Sequence, residues 1–181
     1  MKVTLLIPTL NEIDGMKAIM PKIKPEWYDQ LLIVDGQSTD GTIEYCREKG
    51  YPIVIQQKKG MRNAYMEALP HVTGDVILTF SPDGNSIPEL IPACIAKMKD
   101  GYDQVIVSRY AAGARSYDDD AVTAFGNKMF TSFINFFHGG HYTDAMVIYR
   151  AYKKQLIYDL DLDKDSSYEF EEKLFRTRIS W

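Results

Sequence analysis

One carboxylate stands where an apolar stretch of the chain breaks off. Residues 76–80 are apolar or β-branched at the density of a buried strand, and the turn sequence SPDG follows at 81–84. Asp83 is therefore expected at the carboxyl end of a strand, the edge at which open α/β sheets bind ligands. A carboxylate there, without a basic neighbour in sequence, is suited to hold a divalent cation against a diphosphate. The alternative is that Asp83 only forms a turn with Gly84.

Polar side chains follow other apolar stretches in the same way. Such stretches cover residues 3–7, 31–34, 53–55 and 104–107. The polar residues that come after them are Asn11 and Glu12, Asp35, Lys59 and Arg62, and Arg109. Because the carboxyl ends of parallel strands meet at one edge of a sheet, we expect these side chains to converge with Asp83 on a single site.

Helical patterns separate these strands. The first places Met16, Ile19 and Met20 inward, and the second runs through residues 43–46, with a cap expected from the polar residues at 38–40. Each strand is apolar along its whole length rather than at every second position, so it needs cover on both faces. The sequence therefore predicts an α/β fold with a mostly parallel sheet sandwiched by helices.

Bulk composition limits the class of protein. A chain of 181 residues is expected to form one domain over 1–181, and its net charge of -4 argues against nucleic-acid binding. Neither a dinucleotide-binding glycine pattern nor a P-loop occurs, so hydride transfer and P-loop hydrolysis lack their signatures. No apolar run reaches the roughly 18 residues of a membrane-spanning helix. Cys46 and Cys94 are expected to be free thiols in a cytoplasmic protein.

Four motifs, taken in order, resemble the family 2 glycosyltransferases of GT-A fold. They read IPTLNE at 7–12, IVDGQSTDGT at 33–42, KGMRNA at 59–64 and GDVILTFSPD at 74–83. Two later segments, SRY at 108–110 and TDAMVIYRAY at 143–152, look like those of the dolichol-phosphate mannose synthase branch, which glycosylates polyprenyl phosphates. The resemblance implies a nucleotide-binding half, about residues 1–110, and an acceptor half, about residues 111–181.

This resemblance implies a UDP- or GDP-linked sugar donor. Its functional positions carry over residue by residue onto this chain. Those along the nucleoside are Pro8, Asn11 and Glu12, the one at the base or ribose is Asp35, and those beside the donor are Gly60 and Arg62. Carboxylates at such positions can accept hydrogen bonds from a base or a ribose.

The resemblance also implies a divalent metal, Mg²⁺ or Mn²⁺, with Asp83 as the metal-binding acid of the DxD motif. Ser81 stands where that motif has its first acid, so the ion would be held by Asp83, water and phosphate. Mg²⁺, which keeps several waters, tolerates such a site. Two further departures are Gly36, where some relatives have a second acid, and Ile148, where a glycine is usual.

The acceptor half supplies its own candidates. Arg109 and Arg115 are suited to bind an acceptor phosphate, and the alternative for Arg109 is an ion pair with an acid at the edge of the core. Asp144 matches the acid before the Tyr-Arg pair of the branch, which implies that it orients the acceptor or acts as general base toward a hydroxyl. A phosphate acceptor is already anionic and needs no base. Glu172 is a second acidic candidate.

A helix expected over residues 121–137 has a broad apolar face. The face is made by Phe125, Met129, Phe133, Phe136 and Phe137. One interpretation is a helix packed on the sheet, and the other is an amphipathic surface in the membrane interface beside a lipid acceptor. Its only basic residue is Lys128, whereas interfacial helices usually carry several.

We interpret the chain as an inverting, metal-assisted glycosyltransferase acting on a polyprenyl (dolichyl or undecaprenyl) phosphate at the cytoplasmic membrane face, in cell-envelope glycan synthesis. One alternative is a soluble transferase to a hydroxyl acceptor in surface-glycan synthesis. Another is a non-catalytic nucleotide-sugar binder, which Ser81 suggests. Relatives continue past a helix like residues 168–178 into a closing strand and a basic loop, so either the chain is shortened at Trp181 or that part of the site comes from elsewhere.

Overall fold

The apolar stretches of the sequence form strands of one sheet in the computed structural model, which describes residues 1–108, 121–138, 143–144, 147–164 and 179–180. The strands are β1 (Val3–Thr9), β2 (Gln30–Asp35), β3 (Ile53–Ile55), β4 (Val76–Thr79), β5 (Gln104–Ile106), β6 (Arg150–Lys153) and β7 (Ile179–Ser180). The helices are α1 (Ile13–Ile19), α2 (Thr42–Glu48), α3 (Met61–Ala68), α4 (Ile91–Lys99), α5 (Ala121–His138) and α6 (Gln155–Asp159). Short 3₁₀ helices lie at Met20–Lys22, Pro25–Trp27, Leu69–His71 and Pro88–Leu90.

The sheet is mixed but mostly parallel. Over the described residues it has seven strands in the order β3-β2-β1-β4-β6-β5-β7. β1 pairs in parallel with β2 and β4, β2 pairs in parallel with β3, and β5 pairs in parallel with β7. β6 lies between β4 and β5 and is antiparallel to both. The predicted mostly parallel α/β sheet is confirmed, while β6 and β7 are additions that the sequence analysis does not contain.

Helices cover the sheet on both faces, which explains why its strands are apolar throughout. Side chains of β1 alternate between two apolar clusters, with Leu5 and Ile7 in one and Leu6 in the other. The first cluster includes residues of α1, α2 and α4, and the second includes residues of α3 and α6. Met16, Ile19 and Met20 are buried as predicted. Cys46 and Cys94 are buried, and their thiols are free.

The longest described helix, α5, turns a polar pair inward. Asn127 and Thr131 are buried, whereas Met129, Phe133 and Phe136 are 50%, 55% and 82% exposed. The structure therefore does not show these three side chains packed on the sheet. The side chains of Phe125 and Phe137 lie outside the described part. No helix among the described residues combines the length and the apolar character needed to cross a bilayer.

Candidate functional site

The loops after β1 and β2 are joined through the buried carboxylate of Asp35. Thr9 and Asp35 are register partners at the ends of the two strands. Oδ2 of Asp35 accepts hydrogen bonds from the hydroxyls of Thr9 at 2.8 Å and Ser38 at 2.7 Å, and Oδ1 accepts one from the backbone N–H of Ser38 at 2.7 Å. In this conformation Asp35 therefore organises the edge from within, as a charged acceptor of hydrogen bonds that the protein itself supplies.

Asn11 connects the same two loops from the β1 side. Its backbone N–H donates to the hydroxyl of Ser38 at 2.8 Å, and its side-chain oxygen accepts from the backbone N–H of Thr39 at 2.8 Å. Asn11 has a φ of 57°, in the left-handed region that asparagine tolerates better than most residues. Pro8, near the end of β1, is buried and is the register partner of Val34 in β2. The predicted nucleoside positions thus lie in one continuous arrangement.

Glu12 and Asp40 begin the helices that follow these strands. The backbone N–H of Glu12 donates to Oγ1 of Thr42 at 3.0 Å, and that of Ile13 donates to Oδ2 of Asp40 at 3.0 Å. Asp40 also accepts the backbone N–H of Thr42, the first residue of α2, at 3.0 Å. The N-cap position itself is Gly41, with a φ of 99°, rather than one of the expected residues at 38–40.

Acidic side chains at this edge act on one another. Burial raises the pKa of the Glu12 carboxyl, and the negative charges of Asp83 and Asp40 raise it further. Asp83 comes from the loop after β4 and is exposed, so the loops after β1, β2 and β4 meet here. Mutual repulsion among carboxylates favours a bound cation, because the cation lowers the energy of their charged forms.

Asp83 also has the turn role that was its alternative. Its Oδ1 accepts the backbone N–H of Asn85 at 2.9 Å, across Gly84, which has a φ of 87°. Ser81 is half-buried at the start of the same loop. The described residues include no group of three or more His, Cys, Asp or Glu side chains arranged as metal ligands. The Asp83 carboxylate and the Ser81 hydroxyl are oxygen donors, which suit a hard cation such as Mg²⁺ or Mn²⁺ that can take further ligands from a diphosphate and water.

A basic loop between β3 and α3 borders the edge. Gly60, at the N-cap of α3, has a φ of 106°, which favours glycine. Arg62, on the first turn of α3, donates from Nη2 to the carbonyl of Leu162 at 2.9 Å, so it also anchors the turn after α6. Lys58 and Lys59 are exposed. The loop brings positive charge to the site that the sequence predicts for the donor.

Side chains that the sequence analysis does not single out fix this loop. Gln56 is buried. Its side-chain amide donates to the backbone carbonyl of Lys58 at 2.7 Å, and its backbone carbonyl accepts the side-chain amide of Gln37 at 3.0 Å. Gln37 has a φ of 69° in the turn after β2. On the helix side, Glu67 accepts two backbone N–H groups of the loop. Glutamines and glutamates of this kind give no signal in sequence, since their partners are backbone groups.

Asp144 is buried beneath α5. Its Oδ1 accepts the side-chain amide of Asn127 at 2.8 Å, and Oδ1 of Asn127 accepts the hydroxyl of Thr131 at 3.2 Å. The neighbouring Thr143 donates to the hydroxyl of Ser108, at the end of the segment after β5, at 2.6 Å. Arg109 and Arg115 lie outside the described residues, as does Glu172. The structure therefore places Asp144 in an acceptor half that it describes only in part.

Known proteins resemble this chain in sequence and in fold. The model of the family described as "Glycosyl transferase family 2" matches residues 4–161. The chain is 29% identical over 164 residues to glycosyltransferase AglJ of Haloferax volcanii, covering 90% of this chain and 54% of that one. It is 30% identical over 168 residues to an undecaprenyl-phosphate 4-deoxy-4-formamido-L-arabinose transferase of Klebsiella pneumoniae, covering 86% and 50%. The chain thus spans about half the length of these curated relatives.

Among solved structures, glucosyl-3-phosphoglycerate synthase of Mycobacterium tuberculosis, in complex with Mn²⁺, UDP-glucose and phosphoglyceric acid, superposes with a TM-score of 0.71. Its sequence identity is 18%, and the match covers 88% of this chain and 59% of that one. A likeness at this identity concerns the fold, including the sheet edge from which the loops described above project.

Proposed function

Since the chain belongs to glycosyl transferase family 2 and has the GT-A fold, we propose that it moves a sugar from a nucleotide-diphosphate donor to an acceptor. The observation that carries this proposal is the meeting of three loops at the carboxyl edge of the sheet. There the charges of Asp83 and Asp40 both raise the pKa of the Glu12 carboxyl, and the basic loop after β3 lies along the same edge of the sheet. Negative and positive groups side by side suit a metal-bound diphosphate.

The nucleoside of a UDP- or GDP-sugar would lie across the first two loops. Pro8, Asn11 and Glu12 would line it, and Asp35 would hold the loop against its base or ribose. Because Thr9 and Ser38 already donate to the Asp35 carboxylate, its influence on the nucleoside would include keeping this loop rigid. Preorganisation of this kind raises affinity by reducing the ordering cost of binding.

The diphosphate would lie between the acidic edge and the basic loop. Asp83 would hold a Mg²⁺ or Mn²⁺ ion, with Ser81 beside it and Gly60 and Arg62 across the donor. When bound, the ion supplies charge neutralisation for the departing nucleoside diphosphate. The protein's contribution is then to hold donor and acceptor in line and to place fixed positive charge near the leaving group, with inversion at the anomeric carbon in a single displacement.

The acceptor we propose is a polyprenyl phosphate. The support is chemical and comparative: two relatives are named for undecaprenyl phosphate and dolichol phosphate, the latter from Pyrococcus furiosus, with 31% identity over 123 residues, 64% of this chain and 35% of that one. A phosphate acceptor needs no general base, which suits the buried position of Asp144. We therefore assign Asp144 to orienting the acceptor and Arg109 to pairing with its phosphate.

A lipid acceptor would bring the protein to a membrane surface. The exposed side chains of Met129, Phe133 and Phe136 on α5 offer an apolar contact for it. We place this peripheral contact at the cytoplasmic face, where nucleotide sugars are available. A hydroxyl acceptor in surface-glycan synthesis is the second candidate, and it would leave these side chains without a membrane role.

Calorimetric titration with UDP- and GDP-sugars, with and without Mg²⁺ or Mn²⁺, tests the donor site first. One nucleotide should bind in a metal-dependent manner. Asp83→Ala should reduce turnover by about 10²-fold or more, because a group that stabilises developing charge is lost. Asp100→Ala is the matched control, since Asp100 is an exposed acid at the far end of α4, 3.8 Å from Lys97.

Retention of more than about a tenth of the activity in Asp83→Ala would remove Asp83 from the mechanism. Silence across the donor panel would contradict a donor site in this chain, whereas binding without turnover would favour the non-catalytic nucleotide-sugar binder. With a donor identified, transfer to a detergent-extracted polyprenyl phosphate and to a sugar acceptor are compared. Product on the sugar alone would replace our acceptor assignment with the hydroxyl acceptor.

A further inference from the structure

Helix α1 touches the loop of Asp83 through a glycine. A Cβ atom built on Gly15 would lie 2.1 Å from the carbonyl oxygen of Pro82 and 3.0 Å from its carbonyl carbon. It would also lie 3.4 Å from Oε2 of Glu12. The backbone of α1 therefore packs directly on the backbone of the residue before Asp83, on the side of the helix that carries the Glu12 carboxylate.

The atoms that a side chain would meet first at this point cannot move aside easily. The two nearest atoms belong to the backbone of Pro82, a buried residue whose ring restricts its φ. Glycine inside a helix lowers helix stability by about 1 kcal/mol relative to alanine. Gly15 lowers helix stability but allows α1 to contact the backbone of Pro82. This indicates that the close contact, rather than helix formation, accounts for glycine at this position.

Tyr149 contacts the residues at the two ends of the Asp83 loop. Tyr149 donates from its hydroxyl to the carbonyl of Ile87 at 3.2 Å, and its ring packs edge-on against Phe80 with centroids 5.1 Å apart. Phe80 precedes the loop and Ile87 ends it. With both ends fixed in this way, the contact at Gly15 determines how close the middle of the loop comes to α1.

We infer that Gly15 is a positioning residue, whose missing side chain lets the loop pack on α1 and thereby places Asp83 where it can hold a metal-bound diphosphate. The inference rests on the proposed function, because it gives Asp83 its metal role. It adds a specific requirement: a single methyl group on α1 should weaken metal-dependent binding of the nucleotide without touching nucleotide or metal.

The chain provides a matched control for that methyl group. Gly126 lies inside α5, and a Cβ atom there would meet none of the atoms that the structure describes within 4 Å. Gly15→Ala and Gly126→Ala make the same chemical change in two helices, one against a backbone and one without a described neighbour. Thermal melting of both variants shows whether the fold is retained, since alanine favours each helix.

The experiment measures the affinity for UDP and GDP, by calorimetry, with and without Mn²⁺. In the wild-type protein Mn²⁺ should increase the affinity for one nucleotide. Gly15→Ala should reduce this increase by about tenfold or more, as small displacements of a charged group do, and should leave the metal-free affinity unchanged. Gly126→Ala should stay within about twofold of wild type throughout.

A double-mutant cycle separates positioning from a general structural effect. Asp83→Ala should also remove the Mn²⁺-dependent increase, and adding Gly15→Ala to it should have no further effect, since both act on one interaction. Equal loss with and without Mn²⁺, additivity with Asp83→Ala, or a Gly15→Ala variant that behaves like Gly126→Ala would each overturn the inference. Nucleotide binding by the wild type without any Mn²⁺ dependence would overturn it together with the metal role of Asp83, while the nucleotide site would stand.

Discussion

Oε1 of Glu67 accepts a hydrogen bond from the backbone N–H of Lys58 at 2.9 Å. Oε2 accepts one from the backbone N–H of Gln57 at 2.5 Å, so one carboxylate on α3 holds two consecutive amides of the loop after β3. Asn63 completes this contact by donating to the carbonyl of Lys59 at 2.8 Å. Two neighbouring lysines repel each other, and these bonds keep their backbone in one conformation without neutralising their side chains.

Glu67→Gln should loosen this loop and change how stability depends on pH. The backbone hydrogen bonds from Lys58 and Gln57 lower the pKa of Glu67 below its ordinary value of 4.5. The charged group therefore stabilises the fold above that value, and this contribution is lost as the pH falls through the lowered pKa. The gap in melting temperature between wild type and Glu67→Gln should be largest near neutral pH and should shrink in acid.

Glu44→Gln is the control for the loss of a negative charge, because Glu44 is an exposed residue on α2. Thermal melts of the three proteins from neutral to acidic pH make the comparison. A gap between wild type and Glu67→Gln that stays constant over this range would contradict the assigned role of the carboxylate.

The hydrogen bonds of Asp35, Ser38 and Asn11 form a joint between the loops after β1 and β2. Ser38→Ala should destabilise this joint. The Ser38 hydroxyl donates to Asp35 and accepts the backbone N–H of Asn11. Its removal takes a partner from a buried carboxylate and from an amide, which typically costs about 1–3 kcal/mol. Affinity for the nucleotide should fall as well, since the same joint would line the nucleoside.

Thr39→Ala is the matched control at the next residue. Thr39 is exposed and contributes its backbone N–H to Asn11, which alanine retains. Urea denaturation and nucleotide calorimetry of the two variants provide the test. Equal stability of Ser38→Ala and Thr39→Ala would show that the joint does not depend on the hydroxyl.

Much of this arrangement follows from sequence, because local rules determine it. Fully apolar runs require a sheet covered on both faces, and parallel strands bring their carboxyl ends together, so Asn11, Asp35 and Asp83 could be assigned to one edge in advance. These rules do not give the order in which strands pair. The antiparallel β6 between β4 and β5 is therefore absent from the sequence analysis, because its register with β4 joins residues that are far apart in sequence.

The missed side chains have a common physical reason. Gly15 packs on the backbone of Pro82, and Gln56 and Glu67 bond to backbone atoms of the loop after β3. A backbone atom has no sequence identity that a motif could reveal. For α5 the reason is different, because its apolar stripe left both a face packed on the sheet and a membrane-facing surface open. The structure instead buries Asn127 and Thr131, since a buried carboxylate at Asp144 requires polar partners. Satisfying that group decides the orientation against simple hydrophobic patterning.

Asn127→Ala should therefore affect both stability and acceptor use. The change removes the 2.8 Å hydrogen bond to Asp144 and the 3.2 Å bond from Thr131, all among buried groups. A hydrogen bond to a charged group is typically worth about 1.5–3 kcal/mol, so denaturant unfolding should show a loss of that order. If Asp144 orients the acceptor, the KM for polyprenyl phosphate should rise while calorimetric donor affinity stays at the wild-type value. Lys128→Ala, one position along on the exposed surface, should change neither quantity. If donor affinity falls along with acceptor use, the hydrogen bond between Asn127 and Asp144 instead supports the fold as a whole.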